Sequence, residues 1–219
     1  MNSLNGLLNI DMGYPGIEIK VELIVMQEYL SQLEVGIKAV CESYLEAEIK
    51  KYEYAEYYEY QHIYDMAEIE IPRLIRLPLV ISIYTLFENS ITQLLSYAQS
   101  KELKGLSLKD INGKSPISTF NKYMMHVLEY NFQISNTAST ELSYINKVRN
   151  CIAHANGNLT AMPDDKVKVL KALKIDGLEI NSNSQQIDVS YKFLKNSMGC
   201  VEKTVRELMD FMENRYDFK

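Results

Sequence analysis

In the stretch KVRNCIAHANG, residues 147–157, Arg149 and His154 stand five positions apart, with Asn150 directly after the arginine. The chain has only 5 arginines and 3 histidines, so neither type is common filler. This set suits RNA cleavage without a metal. The 2′-hydroxyl must lose a proton as it attacks the neighbouring phosphate, and the leaving 5′-oxygen must gain one. Histidine, which titrates near neutral pH, can serve either transfer. The phosphorane-like transition state gains negative charge, which a fixed guanidinium fork is shaped to hold. DNA lacks the attacking hydroxyl, so this chemistry selects RNA.

Spacing alone does not assemble the set. On a straight helix, at roughly 100° per residue, Arg149 and His154 point about 140° apart, whereas Asn150 and His154 share a face. Either the long arginine swings round near the helix end, or two copies of the helix pool their groups in a dimer. Each residue also has a plain structural use: Arg149 pairing with Glu141 or Asp164, His154 bonding a terminal carbonyl, and Asn150 bonding a neighbouring helix. Cys151, Ile152 and Ala153 read as packing residues, since no base is evident beside the thiol. Lys101, Lys104, Lys109 and Lys114 lie in or near one loop, where they would guide RNA or simply keep the protein soluble.

The elements that must position these residues are helical. Leu23, Met26, Leu30, Leu33, Ile37, Val40 and Tyr44 alternate at spacings of three and four, a helical seam. With no proline before Pro72, one long helix, broken near Gly36, is expected to run to about Glu70. Its Tyr/Glu-rich part, YEYAEYYEYQHIY (52–64), sets tyrosines among carboxylates that repel phosphate, so these residues read as amphipathic packing. A second helix is expected from Pro72 to about Lys101, and a third from Ile117 to about Tyr130. A fourth begins near Thr140, carries the motif and closes at Asn156-Gly157. LKIDGLEINSNSQQIDVSY reads as a β-hairpin, and the last helix spans about Tyr191 to Asn214. The expected fold class is all-α: a bundle of four to five helices with a long N-terminal helix and a small β-hairpin before the last helix.

Composition narrows the rest. The chain of 219 residues is expected to form a single domain, 1–219: a long acidic helix (20–71), motif-bearing helices (72–158), then the hairpin and C-terminal helix (159–219). Its net charge of −6 divides unevenly: residues 1–72 carry 4 Lys/Arg against 14 Asp/Glu, and residues 73–219 carry 19 against 15. Non-specific nucleic-acid binding over the whole surface is therefore not expected. Cys41, Cys151 and Cys200 are odd in number and lack metal-ligand spacing, and His62, His126 and His154 form no metal motif. No cofactor and no metal are expected. Residues 1–19 show no targeting pattern beyond a short apolar patch at Leu7-Leu8. LPLVISIYTLF (77–87) is too short to span a bilayer. A cytoplasmic protein without a membrane partner is expected.

VRNCIAHANG resembles the signature of the HEPN superfamily, an Arg-x(4–6)-His motif with a polar residue after the arginine. The resemblance extends to Phe87-Glu88 in SIYTLFENSITQLL and to the linking LKDINGKSPISTFNKYM, and covers roughly residues 72–215. It implies a helical bundle that forms a homodimer, with the motif helices of both protomers lining a shared cleft. It also implies a metal-independent ribonuclease, of the kind found as toxins or effectors in bacterial defence against phage; a protein partner or inhibitor is a separate expectation, since a toxin needs a restraint, and no residue here identifies it. On this resemblance Arg149 and His154 are catalytic, Asn150 positions the phosphate or its partner side chain, and Glu88 orients Arg149 or His154. The tyrosine that some such toxins carry two residues after the histidine is replaced by Asn156, so silencing by modification there is not implied. The alternative reading is a non-catalytic HEPN-like dimerisation or protein-binding module that works through the acidic, Tyr-rich helix.

Overall fold

The computed structural model describes residues 11–52, 54 and 56–218. The Leu7-Leu8 patch, and Glu53 and Ala55 of the Tyr/Glu stretch, lie outside the described residues. The chain is all-α, a helical bundle with a small β-hairpin before the last helix. The helices are α1 (Gly16–Ile49), α2 (Tyr57–Asp65), α3 (Ile71–Lys101), α4 (Pro116–His126), α5 (Asn136–Ala155), α6 (Asp164–Ala172) and α7 (Tyr191–Arg215). Strands β1 (Leu178–Ile180) and β2 (Ile187–Val189) pair antiparallel between α6 and α7, with Leu178 opposite Val189 and Ile180 opposite Ile187.

Two expected boundaries move. Helix α1 runs through Gly36, around which a side chain would meet nothing within 4 Å, and stops at Ile49 instead. Its seam explains the stop. Leu23, Leu30, Leu33 and Ile37 are buried, but Val40 is 49% exposed and no described residue from there to Tyr52 is buried. Past Ile37 the helix has lost the packing that stabilises most helices in proteins. Pro72 lies in the first turn of α3, as expected, but α2 leads into that helix without a break. Residues Met66–Glu70 form a π turn joining α2 to α3, with the Ile71 amide donating to the Met66 carbonyl. The wide turn lets the proline, which has no N–H to donate, follow without ending the helix.

The resulting run, Tyr57–Lys101, is long and apolar enough by length and composition to cross a membrane, a length the 77–87 stretch alone did not suggest. Of its most apolar window, 44% is buried inside the protein. Helix α4 ends at His126, earlier than expected, and α5 begins at Asn136, also earlier. The Asn121 amide group bonds both the N–H and the carbonyl of Ile134, tying down the segment between them.

By its internal contacts the chain divides into two compact units. The first comprises residues 11–25, 83–145 and 198–218. Its core stacks Tyr84, Phe87, Ile91 and Leu94 of α3, spaced three or four apart, with Phe120 of α4 edge-on to Phe87 at 6.0 Å. Each such fully buried side chain stabilises the fold by about 1.5–3 kcal/mol. Tyr14, Tyr97, Tyr216 and Phe218 form a second aromatic group in this unit.

The second unit comprises residues 26–82 and 146–197. Within it Arg76 grips Glu34 through two bonds of 2.9 and 2.7 Å, fastening α3 to α1. Its core includes Leu77, Val80, Val148, Cys151 and Phe193. Ile187 and Val189, alternating along β2, are fully buried. The hairpin also binds the end of α5: the Ile187 amide donates to the Gly157 carbonyl, and the Leu159 amide donates to the Gln185 carbonyl, each at 2.9 Å.

Candidate functional site

Helix α5 owes its orientation to its apolar face. Leu142, Ile145, Val148, Cys151 and Ile152 are buried at spacings near 3.6. This leaves Lys147 and Asn150, both half-buried, and His154, exposed, at intervals of three and four on one stripe. Arg149 lies off that stripe and is half-buried. Its Nη1 donates to Oδ1 of Asn150 at 2.9 Å, so the guanidinium is held at the edge of the stripe.

His154 stands exposed where α5 ends. Asn156 and Gly157 both take positive φ, 49° and 76°, and their amides donate back to the carbonyls of Ile152 and Cys151. Left-handed backbone of this kind closes the helix. At Gly157 a Cβ would sit 3.0 Å from Cγ1 of Ile187 and 3.3 Å from Cδ1 of Leu77. Glycine here allows both the turn and the close approach of the hairpin.

The chain then turns back, and α6 faces the stripe. Between them lies a cleft of about 390 Å³. On the α5 side it is lined by Lys147, Asn150, His154 and Ala155. On the other side stand Met162, Pro163, Asp165, Lys166 and Val169. The cleft thus combines one imidazole, two ammonium groups, one carboxylate and an apolar wall. Such a mixture can seat a phosphate beside a proton-transfer group while holding an apolar ligand surface.

Within the second unit the cleft takes Asn150 and His154, while Arg149 is bonded to Asn150 and does not itself line the cleft. Glu88 belongs to the first unit, half-buried on α3, where its carbonyl accepts a bond from the Thr92 hydroxyl. Burial pushes the Cys151 thiol up to about 11, which keeps it protonated and unsuited to nucleophilic attack at neutral pH. Of the loop lysines, Lys101 pairs with Asp11 at 2.7 Å, and Lys104 lies 3.8 Å from Glu129. Their charge is already balanced inside the first unit. Among the described residues, no three of His, Cys, Asp and Glu are grouped as a metal ion would require.

Sequence reasoning missed α6 and with it Asp165 and Lys166. Only Leu170 of this helix is buried, so its apolar pattern is faint. The available signal was Pro163 ahead of Asp164-Asp165, since a fixed φ and acidic residues both favour a helix start. Lys147 was legible as well, being three residues before Asn150 on the same face.

No family model matches the chain, no curated protein matches it, and no solved structure matches it.

Proposed function

We propose that this protein is a metal-independent endoribonuclease of the HEPN type, acting as a homodimer and serving as a toxin or effector in bacterial defence. The observation that carries the reading is the Arg149–Asn150 bond of 2.9 Å, next to a cleft that holds both Asn150 and His154. The guanidinium is thereby restrained at the margin of a site that also contains an imidazole and two lysines.

In this mechanism Arg149 holds the scissile phosphate, and its charge opposes the negative charge that develops as the 2′-oxygen attacks. His154 removes the proton from the 2′-hydroxyl, and an imidazolium returns a proton to the departing 5′-oxygen. The 2′-oxygen–phosphorus bond forms as the bond to the 5′-oxygen breaks, leaving a cyclic phosphate and a free 5′-hydroxyl. In a homodimer the His154 residues of two protomers divide the roles of base and acid. Asn150 keeps Arg149 in place.

The test is incubation with total tRNA and a structured single-stranded RNA in EDTA, beside His154→Ala and with matching DNA as control. Cleavage of RNA alone, lost in the variant, is the expected result. Cleavage surviving in His154→Ala and Arg149→Ala would overturn the assignment.

A second reading, a protein-binding module, is favoured by one observation. Tyr54, Tyr57 and Tyr58 are 95%, 60% and 75% exposed amid carboxylates. Amphipathic rings left open in an acidic setting suit a basic protein partner. On that reading, charge reversal at Glu56 and Glu59 abolishes the phenotype and His154→Ala leaves it intact.

A further inference from the structure

We infer that the cleft between α5 and α6 is a nucleobase subsite that prefers guanine, placing an unpaired guanosine beside His154; this rests on the ribonuclease reading above. Three features carry it. The first is size: about 390 Å³ lies near the lower end of small-molecule sites, roughly 300–1,000 Å³, and admits one nucleotide but not a base pair. The second is the apolar wall. Met162, Pro163 and Val169 line the cleft, and Val169 is 43% exposed, an apolar surface that the flat face of a base would cover.

The third feature is the distribution of polar groups. Asp165 is exposed and lines the cleft, and an ionised carboxylate only accepts hydrogen bonds. Guanine is the base with two adjacent donors, N1–H and the 2-amino group, matching two carboxylate oxygens. Adenine and cytosine set a ring acceptor beside their amino group, and uracil flanks its single N–H with two carbonyls, so each would bring an acceptor against Asp165. Lys147 and Lys166 supply cations for the phosphates on either side of the base. A base seated here must leave its stack and its pairing partner, so the subsite favours loops and single strands.

The experiment titrates the whole protein with 5′-GMP, AMP, CMP and UMP, following backbone amide shifts by NMR. GMP should move the amides of Ala155, Met162 and Val169 and bind at least about fivefold more tightly than the others, as one extra satisfied hydrogen bond implies. Val169→Glu, at an exposed helical position, should weaken GMP by about tenfold through repulsion of phosphate and loss of the apolar wall. Asp165→Asn should erase the preference for GMP while leaving the amide spectrum folded. Equal affinity for all four nucleotides, shifts confined elsewhere, or indifference to both substitutions would overturn the subsite. Mononucleotides contain no scissile internucleotide bond, so the two readings fail separately. A GMP-selective cleft in a protein that leaves RNA intact would remove the ribonuclease alone. Cleavage indifferent to base identity and to Val169→Glu would remove the subsite alone.

Discussion

Arg149 gives the end of its side chain to its own neighbour: Nη1 donates to Oδ1 of Asn150 at 2.9 Å. The bond ties a residue that helical geometry points away from His154 to one that lines the same cleft as His154. Asn150 therefore has a positioning role in the proposed ribonuclease. Asn150→Ala should slow single-turnover RNA cleavage about tenfold, the equivalent of one lost hydrogen bond of about 1–1.5 kcal/mol. Arg149→Ala should slow it by about 10²–10³, the scale of losing a transition-state donor. Equal losses in the two variants would mean that the asparagine does more than hold the arginine.

At Gly157 the backbone φ of +76° and the nearness of Ile187 and Leu77 both oppose a side chain. Gly157→Ala should destabilise the protein by about 2 kcal/mol, seen as a fall in Tm of about 4–8 °C. Because Gly157 also accepts the Ile187 amide bond, the hairpin amides should exchange faster with solvent in this variant. An unchanged Tm would show that the turn is not needed to seat the hairpin.

Asp11 carries an acid-sensitive share of stability. Lys101, then Tyr97 and the Gly13 amide, bond its carboxylate and hold its pKa at about 2. A folded-state value below the unfolded one, near 3.9, stabilises the protein above about pH 4, and that contribution is lost as pH falls toward 2. Asp11→Asn should lower Tm at pH 7 by about 2–4 °C, corresponding to about 1 kcal/mol for a partly exposed pair. The gap between variant and parent should close near pH 2, and a gap constant with pH would refute the assignment.

Asp188 behaves in the opposite sense. Burial pushes its carboxyl above the ordinary value, outweighing the Val189 amide bond and the nearby Arg76. A raised folded-state pKa means that the stabilising, protonated form prevails below the unfolded pKa, near 3.9. That advantage is lost as pH rises through the folded value. Asp188→Asn keeps an oxygen for the Val189 amide and should raise Tm at neutral pH. Near pH 3 it should give no advantage. Thermal melts across that range test the sign directly.

Much of the architecture was legible from local pattern. The α5 motif, its closure at Asn156-Gly157, the hairpin and the last helix all follow from periodicity and from residues that permit positive φ. The end of α1 at Ile49 was not legible, because Val40 and Tyr44 continue the seam in sequence while Val40 stays 49% exposed in the fold. Nor was the passage through Pro72, since a π turn accommodates the proline only within a particular helical run. Helix α6 escaped notice because it buries little of itself.

For the candidate site, sequence by itself determined which groups share a face of α5: Lys147, Asn150 and His154 are spaced so that any helix aligns them. It also determined that Arg149 starts on a different face. Only the tertiary structure decided that α6 closes a cleft over the stripe with Asp165 and Lys166. The reason is physical. Helical spacing sets directions within one element, but the return of the chain after Gly157 depends on Ile187 and Leu77 packing against it, contacts between residues far apart in sequence.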